Sequence, residues 1–162
     1  MNPIKTSPGK RMAAIAAIAT TLAIPAEGLR QWAYYDPPGI LTVCYGHTGD
    51  VVKGRKYSKD ECDALLTSDM LDAVMAVERC APGLPVDTAA ALSDAVFNLG
   101  PKVVCDTRAS TMARMLKAKD IEGACNQLPR WNKARVAGVV VSLPGLTKRR
   151  AAEREVCLRG LA

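Results

Sequence analysis

The sequence predicts an α+β fold that is mostly α: a helical lobe, a small β-hairpin lobe and an apolar N-terminal helix. Three observations predict it. Apolar residues recur at helical spacing after residue 58, one strong turn separates two strand-like runs near residue 36, and an alanine-rich apolar stretch lies near the start. A chain of 162 residues suits one domain whose core two lobes can share. Apolar content of 49% and charged content of 23% are ordinary for a globular protein. Aromatics make up only 4%, so Ala, Val, Leu, Ile and Met must fill the core.

The N-terminus reads as a targeting segment. Lys5, Lys10 and Arg11 form a basic lead, and Met12 to Ala26 carries no charge. Positive flanks stay in the cytoplasm, so the residues that follow should face outwards. The stretch has 15 residues, short of the roughly 20 that span a bilayer comfortably. Thr20 and Thr21 weaken its hold on lipid further. Three readings compete: a cleaved signal peptide, a permanent anchor, and an uncleaved anchor able to leave the membrane. Ile24-Pro25-Ala26 is a poor cleavage site, and cutting there would strip Glu27 of any preceding helix. A permanent anchor would press Glu27 against the headgroups. The third reading fits best.

The elements follow in order. Tyr34-Tyr35 and Ile40 to Tyr45 flank Asp36-Pro37-Pro38-Gly39, a turn, which gives a hairpin. A glycine-rich loop covers His47 to Lys56. Ser58-x-x-Glu61 is a capping box that opens a helix through Cys62, Leu65, Leu66, Ala73, Val74 and Val77. Pro82 and Pro85 break it. Asp87 is expected to cap the next helix, with Leu92, Val96 and Leu99 inside and Gly100 as its stop. Ser110 to Ala118, Asp120 to Leu128 and Thr147 to Arg159 give three more helices. Arg135 to Pro144 is more apolar than a surface loop should be; a packing role is expected for it, ahead of covering the cleft or touching the membrane.

Cysteines stand at 44, 62, 80, 105, 125 and 157. An even count in a small exported domain points to disulfides. No CxxC or Cys/His cluster occurs and His47 is the sole histidine, so neither a metal site nor a cofactor is expected. No cysteine precedes position 44, so the leader cannot act on the site by thiol exchange. The net charge of +6 favours an anionic partner: nucleic acid, anionic lipid or bacterial wall.

The chemistry centres on Glu27, Asp36 nine positions on, and Thr42 six further. Glycoside hydrolysis needs one carboxylic acid to protonate the leaving oxygen and a second carboxylate on the other face of the ring. Glu27 follows an apolar run, suited to a group that must hold a proton; Asp36 sits at a wetter turn. Thr42 could hold a water against Asp36. By spacing alone, two such acids are more often solvated surface groups.

The wider pattern is specific. EGLR, the Glu-Asp-Thr spacing, GH at 46–47, Phe97-Asn98-Leu99-Gly100, Arg130-Trp131 and Thr147-Lys148-Arg149-Arg150 together resemble the phage-type lysozymes, glycoside hydrolase family twenty-four. The resemblance runs from Glu27 to the C-terminus and implies a lysozyme-like fold. It implies an inverting muramidase, with Glu27 as general acid and with Asp36 and Thr42 positioning water. It implies that an arginine of the last helix pairs with Glu27; Arg150 matches that position best, with Arg149 adjacent. Asn98 would line the sugar cleft, with Phe97 and Trp131 beside it. The apolar leader, with TVCYGHTG and REVCL, further resembles signal-anchor-release endolysins. That implies residues 1–26 as a releasable anchor and 27–162 as the catalytic domain. The enzyme would sit inactive at the host inner membrane, then act in the periplasm as a monomer on peptidoglycan once a holin or pinholin has collapsed the potential.

Plainer readings stand beside these. His47 is expected to support structure and not chemistry. Trp131 is expected in the core, with sugar stacking the lesser reading. Expected disulfides are Cys80–Cys105 bracketing the central helix, Cys125–Cys157 joining two late helices, and Cys44–Cys62 as the remainder. A nucleic-acid binder is disfavoured by the exported, aromatic-poor composition. A wall-binding protein that does not cut, or a secreted lysozyme with a cleaved leader, remains the alternative.

Overall fold

The computed structural model describes residues 7–162; Lys5 of the basic lead lies outside the described residues. Helix α1 (Pro8–Glu27) starts with Ser7, whose hydroxyl accepts from the Lys10 amide, and with Pro8 in the first turn, where a missing N–H costs nothing. It buries Ile15, Ala16, Ala19 and Ala23 against the helical core, and Arg11 is tied to Glu78 at 2.8 Å and to the Leu84 carbonyl at 2.6 Å. Small alanines on this stripe let the backbones approach closely. Among the described residues no helix is long and apolar enough to cross a membrane.

The small lobe is a three-stranded antiparallel sheet of β1 (Arg30–Tyr35), β2 (Leu41–Cys44) and β3 (His47–Thr48) in the order β1-β2-β3. The expected turn joins β1 to β2, and the third strand comes from the start of the glycine-rich loop. Val43, Cys44, Tyr45, Tyr57, Cys62 and Leu66 form this lobe's own core.

The second lobe is helical. Its long members are α2 (Lys59–Cys80), opened by the capping box of Ser58 and Glu61, and the central α3 (Val86–Leu99). Short helices follow: α4 (Lys102–Cys105), α5 (Thr111–Lys117) and α6 (Ile121–Gln127). A 3-10 turn (Leu128–Arg130) then leads to the last helix, α7 (Pro144–Arg159). Helix α3 packs against α1, α2 and α7, so it is the axis of the lobe. Phe97 near its end touches both cores and joins the lobes. The three disulfides pair as expected: Cys44–Cys62 ties β2 to α2, Cys80–Cys105 ties α2 to α4, and Cys125–Cys157 ties α6 to α7.

Two expectations need correcting. Asp87 does not cap α3; Pro85 stands at that position, and the Asp87 carboxylate takes Arg159 at 2.7 Å instead. Residues 135–144 do not pack inward. Residues 135–142 belong to a second hairpin, β4 (Lys133–Val136) with β5 (Val139–Ser142), whose Val136, Val139 and Val140 are 50, 61 and 55% exposed, and Leu143 and Pro144 open α7. The β-branched run makes strand geometry favourable, and the open turn at Ala137-Gly138 (φ 48° and 81°) reverses the chain. Apolarity there reflects strand propensity, with no core behind it.

Candidate active site

Glu27, Asp36 and Thr42 line one cleft of about 580 Å³ between the lobes. Each arrives by a different route. Glu27 is the last residue of α1, and Gly28 (φ 70°) turns the chain away immediately after it. Asp36 closes the β1–β2 turn: the Ile40 amide donates to its Oδ1 at 2.7 Å, which leaves the second oxygen uncommitted. Thr42, 3% exposed on β2, donates its hydroxyl proton to the Ile40 carbonyl at 3.0 Å. Its oxygen lone pairs alone are therefore on offer to the cleft.

The carboxylate of Glu27 is held from two sides. Gly46 (φ 81°) brings bare backbone up to it; a Cβ there would stand 3.3 Å from Oε2. On the other side Arg149 Nη1 donates to Glu27 Oε1 at 2.5 Å. The arginine partner is thus Arg149, a correction to the expectation of Arg150. Successive residues on a helix point about 100° apart, so only one of the two can face Glu27. Arg150, fully buried, turns the other way, to Asn98 Oδ1 at 2.8 Å and Glu153 Oε1 at 2.9 Å.

Behind Glu27 lies a buried charge cluster. Asp94 on α3, 0% exposed, accepts from Arg149 Nε at 3.0 Å and Nη2 at 2.7 Å. Burial opposes the charge of Arg149, but Asp94 and then Glu27 outweigh it and raise its pKa above the ordinary value. Burial, then Asp94, pushes the Glu153 carboxyl up to about 9. Glu153 is therefore neutral at pH 7, and of the pair it forms with Arg150 the carboxyl is the one that yields, since a guanidinium keeps its proton.

The remaining expected residues divide. Phe97 and Asn98 line the cleft. His47 does not; its Nδ1 lies 2.7 Å from Asp69 Oδ2, fastening β3 to α2, while Asp69 itself lines the cleft with Asp72 and Arg79. Trp131 is placed against the helical core and away from the cleft, a correction to its assignment as a sugar contact. It follows the 3-10 turn with its amide bonded to the Leu128 carbonyl at 3.0 Å. A second cavity of about 630 Å³, walled by Leu22, Pro25, Leu143 and Leu146, opens on the far side of Glu27. Sequence reasoning missed Gly46, Asp94 and Glu153. One signal was present: Asp94 is a lone acid in the apolar run of α3.

The span of chain that carries the cleft is also the span that a known family matches. Residues 25–153 match the phage lysozyme family. The chain belongs to that family. It is a glycoside hydrolase. Among relatives, the SAR-endolysin of Bacteriophage PS119 is 41% identical over 136 residues, 83% of this chain and 77% of that protein. Among solved structures, the active form of P1 phage endolysin Lyz overlays with a TM-score of 0.77 at 25% identity, covering 93% of each chain. The muramidase domain of SpmX from Asticaccaulis excentricus overlays at 0.75 with 29% identity, over 90% of this phage lysozyme and 95% of that domain.

Proposed function

We propose that this phage lysozyme hydrolyses the β-1,4 bond between N-acetylmuramic acid and N-acetylglucosamine in peptidoglycan, with inversion, for host cell lysis. One observation carries the reading: Glu27, Asp36 and Thr42 line a single cleft, with Glu27 fixed by Arg149. Glu27 protonates the leaving oxygen. A water on the other face donates one hydrogen to the free oxygen of Asp36 and the other to Thr42, whose own proton is already given to Ile40. Its lone pair is then free to attack the anomeric carbon. Asp36 takes the proton that the water loses, and protons balance. Phe97 and Asn98 contact the glycan; Asp69, held by His47, shapes the wall of the cleft. Digestion of purified peptidoglycan tests the bond and the stereochemistry. Muramic acid at the new reducing ends, first released as the inverted anomer by NMR, is expected; glucosamine at the new ends overturns the reading.

The proposal extends to timing. Residues 1–26 hold the enzyme at the inner membrane, and release through a holin or pinholin lets α1 dock so that residues 27–162 become active in the periplasm as a monomer. What supports this is that α1 ends on Glu27 and buries Ile15, Ala16, Ala19 and Ala23, the apolar residues that would otherwise face lipid. Several relatives carry the name SAR-endolysin. Mass spectrometry of the periplasmic enzyme is expected to find an intact N-terminus, and a start at Glu27 would refute the release mechanism.

A further inference from the structure

Arg149 is bound on three of its nitrogens, and the arrangement is asymmetric. Nε and Nη2 lie along one edge of the guanidinium, and Asp94 accepts from both. Only Nη1 remains, and it meets Glu27. A guanidinium gripped along one edge cannot rotate about its long axis, so the plane and the direction of Nη1 are fixed by Asp94. Asp94 itself lines neither cavity and is fully buried. It touches no substrate.

We propose that Asp94 is a positioning residue for the acid: by gripping Arg149 it aims the one free nitrogen at Glu27 and cancels the cation beside it. The proposal rests on the reading of Glu27 as the acid. Both parts matter to an acid that must hold a proton until the bond breaks. An Arg149 without its aspartate would be a bare cation against Glu27, favouring the ionised form. The other nearby carboxyl, Glu153, stands 3.6 Å from Nε and carries its proton, so it does not replace the charge of Asp94. The charged groups around Glu27 come from four parts of the fold. Helix α7 contributes Arg149, Arg150, Glu153 and Lys148, and α3 contributes Asp94. The sheet contributes Asp36 across the cleft, and α2 contributes Asp69, Asp72 and Arg79 along it. Only Asp94 and Glu27 share Arg149 at hydrogen-bond distance. Buried ion pairs are poor stabilisers in general, so a purely structural role gives Asp94 little reason to be charged.

The test compares three variants on glycan strands, with activity normalised to the folded fraction by near-UV circular dichroism. Asp94→Asn keeps the shape but loses the charge. It is expected to lower kcat by about 100-fold with KM little changed. It should also move the alkaline limb of the pH–rate profile down, because the uncancelled cation favours the ionised carboxylate. Asp94→Glu keeps the charge but displaces the grip: kcat should fall while the limb stays in place. Asp87→Asn, which breaks the exposed pair with Arg159 on the same helix, should do neither. Wild-type kcat and an unmoved limb in folded Asp94→Asn overturn the proposal. Should that variant not fold, wild-type kcat in Asp94→Glu overturns it equally. If the wild type releases no reducing ends, or Glu27→Gln stays active, the reading of Glu27 fails instead, whatever Asp94 does.

Discussion

Glu27 stands between two neighbours that leave it no slack, Arg149 and the bare backbone of Gly46. A methyl group at position 46 would press on Oε2 and would also have to occupy a left-handed φ. Gly46→Ala should therefore cost about 1–2 kcal/mol in a denaturant titration and lower kcat about tenfold, more than the lost stability alone would produce. Glu153 offers a pH test. Its folded-state pKa of about 9 lies above the ordinary 4.5, so the folded chain keeps a proton that the unfolded chain releases. Stability from this group is complete below about pH 4.5 and is lost as pH rises towards 9. Glu153→Gln cannot ionise and should flatten that decline by more than about 1 kcal/mol between pH 5 and pH 9. Parallel stability curves for the two proteins would show that Glu153 does not carry the proton. At this scale the sequence made the triad legible, because Glu27, Asp36 and Thr42 lie close along the chain and their spacing survives as a motif. Asp94 and Glu153 were illegible for the opposite reason. Asp94 takes its meaning from a contact across 55 residues, and nothing in α3 alone says that an arginine will arrive; Glu153 takes its meaning from burial, which its polar helix does not announce.

Helix α1 serves the fold and the site at once. Ile15 is fully buried against the helical core, so Ile15→Ala should cost about 2–5 kcal/mol by chemical denaturation. The second hairpin supplies the contrast. Val139 is 61% exposed, and Val139→Thr should change stability by no more than about 0.5 kcal/mol. A large loss there would mean that the valine run is packed after all. These two elements also show what local pattern conveys. The capping box of Ser58 and Glu61, the Asp36–Gly39 turn and the α2 periodicity are local physics and were legible. Hydrophobicity alone could not tell the strand-forming valines of β4 and β5 from core. A cap at Asp87 was undone because Pro85 starts the helix earlier and Arg159 claims the carboxylate.

At the scale of the molecule, three disulfides and Phe97 fix two small cores around a cleft into which the first helix delivers Glu27. The central prediction is that hydrolysis depends on the carboxyl at the end of α1. Clearing of purified peptidoglycan by the wild type and by Glu27→Gln, matched for folding by circular dichroism, tests it most directly. The wild type should clear the suspension while the variant, isosteric but unable to give up a proton, leaves it turbid; equal clearing by both would contradict the assignment of Glu27 as the acid.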